Sequence, residues 1–236
     1  MAFTFRWIGQ GGFLFNLGSH VLAIDPYLSD SVALTDHFSR IAPIPVAPEK
    51  LACDMVVCTH DHQDHLDEDT IARTDLPLYA GPSSCVAHFR ALGIPEDRLL
   101  RLNAGETALL GEARVTALYA RHTEDSIGVL IDFQGLRLYV TGDTEYDDRL
   151  LAAKEYGVDI LFICINGRLG NMNARDAARV ARGIGCRLAV PMHYGMFAEN
   201  TEDPAVFVDA LASQVPSFIM DFNREYDVEK VLSAVR

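Results

Sequence analysis

Basic residues are scarce in this sequence relative to acidic ones. The 236 residues include 20 Lys and Arg against 33 Asp and Glu, which gives a formal net charge of −13. A chain with this balance repels the phosphates of nucleic acids and anionic lipid surfaces unless a local feature reverses the field. The composition therefore disfavours long nucleic acids and membranes as partners.

Cysteine pairs at metal-binding or redox spacing are also absent. The sequence contains no CxxC pair, and each of its five cysteines stands beside apolar residues. Buried, reduced thiols are therefore the predicted state. The cysteines are Cys53, Cys58, Cys85, Cys164 and Cys186.

Long apolar runs are missing as well. No run approaches the roughly 20 residues that span a membrane, and the first residues lack the basic start and apolar stretch of a signal peptide. No segment is rich enough in Pro, Gly or Ser to act as a linker. We therefore expect a soluble, cytoplasmic protein that consists of one domain over residues 1–236.

Short β-type runs alternate with helical patterns, which is typical of an α/β protein. Strands are predicted over residues 3–8, 13–17, 21–24, 55–58, 115–120, 138–140 and 188–191. Helices are predicted over 147–156 and 204–215, and a third begins after Asn173, a good N-cap, and ends near Gly185.

Two segments of the chain share one plan. Residues 12–25 and 128–143 each begin with Gly, pass through two apolar strands around a Gly-containing turn, and end on an aspartate. These aspartates are Asp25 and Asp143. Because any two hairpins look alike, this similarity alone leaves open whether the chain consists of two similar halves.

Three of the eight histidines lie within six residues of one another. The strand at 55–58 is followed by Thr59-His60-Asp61-His62-Gln63-Asp64-His65, a His-x-His-x-Asp-His pattern. Imidazole nitrogens and carboxylate oxygens are the ligands that borderline divalent metals take. In extended backbone His60 and His62 project to the same side, whereas Asp64 and His65 lie past the turn and could reach a second ion. The motif predicts a metal-binding loop.

Acidic side chains crowd the same region. Residues 54–69 include six Asp or Glu and no Lys or Arg. One or two bound dications would invert the local field. An acidic protein could then still receive a small anionic substrate.

Further candidate ligands follow predicted strands. His122 comes after 115–120, Asp143 after 138–140 and His193 after 188–191. Asp143 stands between Gly142 and Thr144, a position from which a carboxylate can bridge two ions. With the motif, the predicted metal ligands are His60, His62, Asp64, His65, His122, Asp143 and His193.

This ligand set, in this order, resembles the metallo-β-lactamase superfamily from about residue 6 to about residue 200. The resemblance implies a four-layer αββα sandwich of two similar halves, which would also account for the repeated hairpin. It implies that Asp25 steadies the ligand loop from behind. It further implies two metal sites that share Asp143: one formed by His60, His62 and His122, the other by Asp64, His65 and His193.

Narrower features resemble the L-ascorbate-6-phosphate lactonase group of that superfamily. They are Trp7-Ile-Gly-Gln-Gly-Gly-Phe13, Ile24-Asp-Pro-Tyr-Leu-Ser-Asp30, Ile165-Asn-Gly-Arg168, Gly170-Asn-Met172 and Pro191-Met-His-Tyr-Gly-Met-Phe197. The chain is shorter than a typical member, and Tyr194 stands where a second histidine often follows the ligand. The resemblance predicts substrate contacts from Asn166, Arg168, Asn171 and Tyr194, with the Arg168 guanidinium as the candidate phosphate partner.

The predicted activity is the hydrolysis of a small, phosphorylated lactone. A bound divalent metal, Zn or Mn, lowers the pKa of water and so supplies hydroxide, while Asp64 orients it and accepts a proton. One alternative is a phosphodiesterase that acts on small cyclic or dinucleotide substrates, and another is a metal-binding protein without turnover. The diiron branch usually carries Glu at the position of His62, so redox chemistry is disfavoured. The sequence leaves a homo-oligomer open.

Overall fold

A computed structural model describes residues 3–74 and 78–235. The predicted domain, residues 1–236, extends slightly beyond them. The strands are β1 (Phe3–Gly9), β2 (Gly12–Leu17), β3 (His20–Ile24), β4 (Met55–Val57), β5 (Leu78–Gly81), β6 (Leu99–Arg101), β7 (Thr107–Leu110), β8 (Ala113–Tyr119), β9 (Ile127–Phe133), β10 (Leu136–Val140), β11 (Ile160–Cys164), β12 (Leu188–Met192) and β13 (Glu225–Asp227).

Helices lie between and after these strands. The α-helices are α1 (Val32–Thr35), α2 (Glu68–Arg73), α3 (Ser83–Ala91), α4 (Ala174–Ile184), α5 (Pro204–Leu211) and α6 (Val228–Ala234). Three 3₁₀ helices span Pro48–Lys50, Glu96–Arg98 and Asp148–Tyr156. Within the described residues, no helix has the length and apolar composition needed to cross a membrane.

The strands form two mixed sheets that repeat one topology. The first has the order β13-β1-β2-β3-β4-β5-β6 and the second β12-β11-β10-β9-β8-β7. In the first, β1, β2 and β3 are antiparallel and β4 and β5 continue in parallel. In the second, β8, β9 and β10 are antiparallel and β11 and β12 continue in parallel. The predicted fold of two similar halves is confirmed.

Aromatic rings join the two sheets. Phe162 of β11 is fully buried, and its ring lies 5.0 Å from that of Phe5, 4.7 Å from that of Phe13 and 6.0 Å from that of Phe15. The three partners belong to β1 and β2, so this contact crosses from one sheet to the other. Burying such rings removes large apolar areas from water, which stabilises the sandwich.

Helix α4 begins and ends as its sequence predicts. The Asn173 side chain accepts hydrogen bonds from the backbone N–H groups of Arg175 and Asp176. At the other end Gly185 adopts a left-handed conformation with φ 72°, which glycine reaches without strain. The buried stripe that faces the second sheet includes Ala177 and Ala181.

We expect Asn173→Ala to lower the free energy of unfolding by about 1 kcal/mol, because two helical N–H groups lose their acceptor. Urea denaturation measures the change. Asn173→Ser keeps an acceptor oxygen without placing a second charge beside Asp176, to which the Asn173 amide donates at 2.8 Å, and should stay close to the wild type. An alanine variant as stable as the serine variant would show that the cap contributes nothing.

Several sequence predictions need correction. The segment predicted as a helix over 147–156 is a 3₁₀ helix, and the strand predicted to include Cys58 ends at Val57. Helix α5 ends at Leu211, four residues before the predicted end, because Ala212 turns into the left-handed region with φ 50°. Four cysteines are buried thiols, but Cys53 is only partly buried.

Candidate metal centre

The ligand loop starts where two parallel strands, β3 and β4, end side by side. Asp25 follows β3 and is fully buried. It accepts hydrogen bonds of 2.7 Å from the backbone N–H and the hydroxyl of Thr59, and its Oδ2 lies 2.7 Å from His65 Nδ1. These contacts fix the start of the loop and leave His65 Nε2 free to face the other ligands.

The loop itself differs from the predicted extended backbone. Residues 59–62 form bends and residues 63–65 a turn. The rings of His60 and His62 still meet, with centroids 4.6 Å apart. Close packing needs Gly11 in the turn between β1 and β2, because a Cβ atom there would lie 2.7 Å from His65 Cε1.

All seven predicted ligands come together in three overlapping groups. Within each group the candidate ligand atoms lie within 4.8 Å of one another. The groups are His60, His62 and His122; His60, His65 and Asp143; and Asp64, His65 and His193. The first and third groups correspond to the two sites that the sequence predicts.

Asp143 lies between those two groups. Its Oδ1 is 3.2 Å from His65 Nε2, and its Oδ2 is 3.2 Å from His193 Nε2 and 3.8 Å from His122 Nε2. A carboxylate in this position can ligate on both sides, as the bridging prediction requires.

The buried ring nitrogen Nε2 of His60 indicates whether the candidate ligands fit a metal ion. His60 is fully buried, and among the described residues its Nε2 has no hydrogen-bond partner. Burial also holds the pKa of His60 well below its usual range, so the ring is neutral and this nitrogen can offer a lone pair. A buried polar atom without a partner is costly, and coordination would satisfy it. The imidazole and carboxylate set therefore fits a divalent ion.

Two histidine ligands, His65 and His193, carry charges that balance those of the carboxylates. Burial lowers the pKa of His65, but the carboxylates of Asp143 and Asp25 outweigh burial and hold it well above its usual range. In the same way Asp143 raises the pKa of His193 to about 9. In the metal-free protein, protons on these histidines therefore neutralise the carboxylates, and bound cations would replace those protons.

Two amide side chains orient the carboxylate ligands. Gln10 Nε2 donates to Asp64 Oδ2 at 2.6 Å, and Asn171 Nδ2 donates to Asp143 Oδ2 at 2.7 Å. Sequence reasoning missed this role for both. For Gln10, the signal available in the sequence is its place among three glycines, Gly9, Gly11 and Gly12. In the structure Gln10 lies in the turn that these glycines form and adopts φ 51°.

Removing the Asn171 amide should weaken metal binding by about 10–100-fold, as is typical when a residue that orients a ligand is lost. Asn171→Ala leaves Asp143 Oδ2 without this donor, so the carboxylate can rotate. Competition with a chelator measures the affinity. Asn16→Ala is the matched control, because the Asn16 amide donates to Thr4 of β1 and Glu225 of β13 and contacts no ligand. Equal affinities in both variants would contradict the orienting role.

A further buried carboxylate, Asp67, ties the ligand loop to the segment before α1. It accepts hydrogen bonds from the backbone N–H groups of Leu28 and Ser29 and from the hydroxyls of Ser29, Ser31 and Thr70. Sequence reasoning did not single out Asp67. The only signal is its position two residues after the last histidine of the motif.

The ligands open onto a cavity of about 610 Å³. Four of them contribute to its walls, and so do apolar side chains from α1 and from the loop after β12. Its lining consists of Val32, Thr35, Asp36, Phe38, Asp61, His62, Gln63, Asp64, His122, Asp143, Leu169, Phe197 and Asn200. A concave site of this size suits a small molecule.

The four predicted substrate residues are not part of the described lining of this cavity. Asn166 is buried and donates to the Asn200 side chain at 2.7 Å. Arg168 is exposed and donates to the Glu199 carbonyl, and the Tyr194 ring packs 4.8 Å from that of Trp7. Their contact with substrate stays a prediction.

The fold and the ligand set define a metallo-β-lactamase-type metal centre, and comparison with known proteins agrees. A family model described as a beta-lactamase superfamily domain matches residues 20–194. The chain belongs to that superfamily and, within it, to the UPF0173 metal-dependent hydrolases.

The sequence relatives match over almost their whole length. A UPF0173 metal-dependent hydrolase of Pyrobaculum islandicum is 30% identical over 226 residues, which cover 91% of this chain and 95% of that protein. Another, from Archaeoglobus fulgidus, is 28% identical over 244 residues, which cover 95% and 98%. The lactonase-like subgroup stays a prediction.

Solved structures show the same fold. Igni18, a metallo hydrolase from Ignicoccus hospitalis, superposes with a TM-score of 0.78 at 20% identity and covers 96% of this chain and 98% of its own. The metallo-beta-lactamase fold protein YhfI from Bacillus subtilis gives a TM-score of 0.72 at 21% identity, with 96% and 100% coverage.

Proposed function

We propose that this protein hydrolyses the ester bond of a small lactone, with one or two divalent ions, Zn or Mn, held by the seven ligands. The observation that carries the proposal is the meeting of both ligand groups at one cavity. His62 and His122 of one group and Asp64 of the other line its wall together with Asp143. An ester carbonyl in the cavity would therefore contact both groups at once.

In the proposed reaction, Asp64 and Gln10 have roles distinct from that of the bound ions. Bound divalent ions would supply a low-pKa water as nucleophile and a Lewis acid for the carbonyl. Burial raises the pKa of Asp64, but His65 and His193 outweigh burial and hold this pKa below its usual range. The carboxylate is therefore ionised. Gln10 donates to Asp64 Oδ2, and the Asp64 side chain is 17% exposed and lines the cavity. Asp64 is thus placed to orient a water molecule and accept its proton.

The charge of the whole chain supports a small substrate. A net charge of −13 opposes long polyanions, while a cavity of about 610 Å³ admits a molecule of a few rings. A phosphorylated lactone bound through Arg168 is one version of the proposal. Because Arg168 donates to the Glu199 carbonyl, this version needs the guanidinium to turn toward the cavity.

A substrate panel tests the proposal. The metal-free protein is reconstituted with Zn or Mn and assayed on neutral lactones, phosphorylated lactones and cyclic phosphodiesters. We expect metal-dependent opening of lactones. Turnover confined to the diesters would instead establish a phosphodiesterase, and metal binding without turnover on any substrate would indicate a protein that only binds metal.

A further inference from the structure

Apolar side chains line part of the cavity. Phe197, which follows β12, is buried against Tyr27, with ring centroids 5.8 Å apart, and Phe38 lies 6.2 Å from Phe197. Val32 belongs to the same cluster, and Leu169 adds a side chain that is 65% exposed. Val32, Phe38, Leu169 and Phe197 all line the cavity, and we call them the apolar wall.

Polar contacts hold the part of the apolar wall that comes from α1 and its flanking segments. Asp67 binds the segment that precedes α1, as described above. Arg40 then secures the segment after α1, because its guanidinium donates to the carbonyls of Tyr27, Ser29, Ala42 and Pro43. The wall is therefore built before any substrate arrives, which reduces the entropy lost on binding.

The charged side chains on the cavity outside the ligand set are carboxylates. Asp36 and Asp61 both contribute to the lining. The nearby guanidinium groups are engaged with backbone carbonyls: Arg40 holds the wall, and Arg168 donates to Glu199. Bound ions would add positive charge at the ligand end of the cavity. Elsewhere in the described lining an anionic group would meet carboxylates, apolar side chains and the neutral polar side chains of Thr35, Gln63 and Asn200, but no cationic side chain.

We propose that the site selects an uncharged ester or lactone that carries an apolar group, and that it discriminates against substrates with a phosphate. This inference rests on the proposed hydrolytic function. The ester end faces the ligands, and the apolar group packs on Phe38 and Phe197. Selectivity arises because burying alkyl carbon against this wall is favourable, whereas a phosphate beside Asp36 is repelled.

Binding of two non-hydrolysable lactams tests the substrate class separately from turnover. They share one ring, and the side chain is heptyl in one and a phosphate-terminated propyl in the other. By calorimetry on the metal-loaded protein, we expect the heptyl lactam to bind at least about tenfold more tightly. Equal or tighter binding of the phosphate lactam would overturn the inference.

Two variants assign the preference to named residues. Phe38→Ala should weaken the heptyl lactam about tenfold, and Asp36→Asn should tighten the phosphate lactam about threefold, as expected for one unit charge removed near a solvated site. The matched controls, Phe218→Ala and Asp209→Asn, alter side chains outside the cavity lining and should change neither affinity. Wild-type affinities in the Phe38 and Asp36 variants would contradict the assignment.

The corresponding lactones separate this inference from the proposed function. Hydrolysis of the heptyl lactone with a higher kcat/KM than the phosphate lactone supports both. Hydrolysis that favours the phosphate lactone keeps the proposed function and overturns the inference. Tighter binding of the heptyl lactam, with neither lactone hydrolysed, supports the selectivity of the cavity and overturns the proposed reaction.

Discussion

Replacing Asp143 by alanine should remove the bound ions and the hydrolytic activity together. Its carboxylate lies 3.2 Å from His65 Nε2 and from His193 Nε2 of one ligand group, and 3.8 Å from His122 Nε2 of the other. Because one side chain serves both ligand groups, we expect metal affinity to fall by more than the about 10–100-fold typical of residues that only orient ligands. Elemental analysis and a hydrolysis assay on the same sample measure both losses.

The matched control for this variant is Asp132→Ala. Asp132 pairs with Arg137 at 3.2 Å, away from the ligands, so its loss should leave metal content and activity unchanged. An Asp143→Ala protein that keeps its ions and its activity would contradict the bridging position of the carboxylate.

Phe162→Ala should produce the largest loss of stability. The ring is fully buried and contacts three phenylalanines of the opposite sheet, so its removal leaves a cavity between the two halves of the fold. Truncations of this kind cost about 3–5 kcal/mol. Urea denaturation monitored by circular dichroism gives the free energy of unfolding.

An exposed hydrophobic residue supplies the comparison. Leu109 of β7 is 64% exposed, and Leu109→Ala should change stability by no more than about 0.5 kcal/mol. A loss in the free energy of unfolding below about 1 kcal/mol for Phe162→Ala would be no larger than the average for any substitution. The packing of the two sheets would then not depend on this ring.

Much of the fold is encoded in short stretches of sequence. The hairpins of β2 with β3 and of β9 with β10 come from apolar runs around a glycine turn. Helix α4 follows from its cap at Asn173 and its alanine stripe. The seven candidate ligands could be named because each stands in the motif or directly after an apolar strand, and the ends of neighbouring parallel strands meet at one edge.

The rest depends on contacts between distant parts of the chain. The amide of Gln10 meets a carboxylate 54 residues away, and that of Asn171 meets one 28 residues away. Phe38 and Phe197 come from opposite ends of the sequence to form one wall. No local pattern encodes such pairs, because they arise only once the two sheets have packed.

The backbone shape of the motif, with its bends at 59–62, also depends on a residue distant in sequence. The alternating histidines predict an extended backbone. Instead, Asp25 accepts three hydrogen bonds from Thr59 and His65, so the loop bends around the Asp25 carboxylate. The ligands still converge, through a different backbone path. Their identity was predictable from sequence, whereas the shape of the loop was not.

The most direct test of the metal-dependent mechanism is a titration of the metal-free protein with Zn or Mn, with bound metal and lactone hydrolysis measured in the same samples. We predict that turnover rises in step with bound ion, saturates at one or two equivalents and is lost again with a chelator. Full turnover in protein that contains no detectable metal would contradict the account.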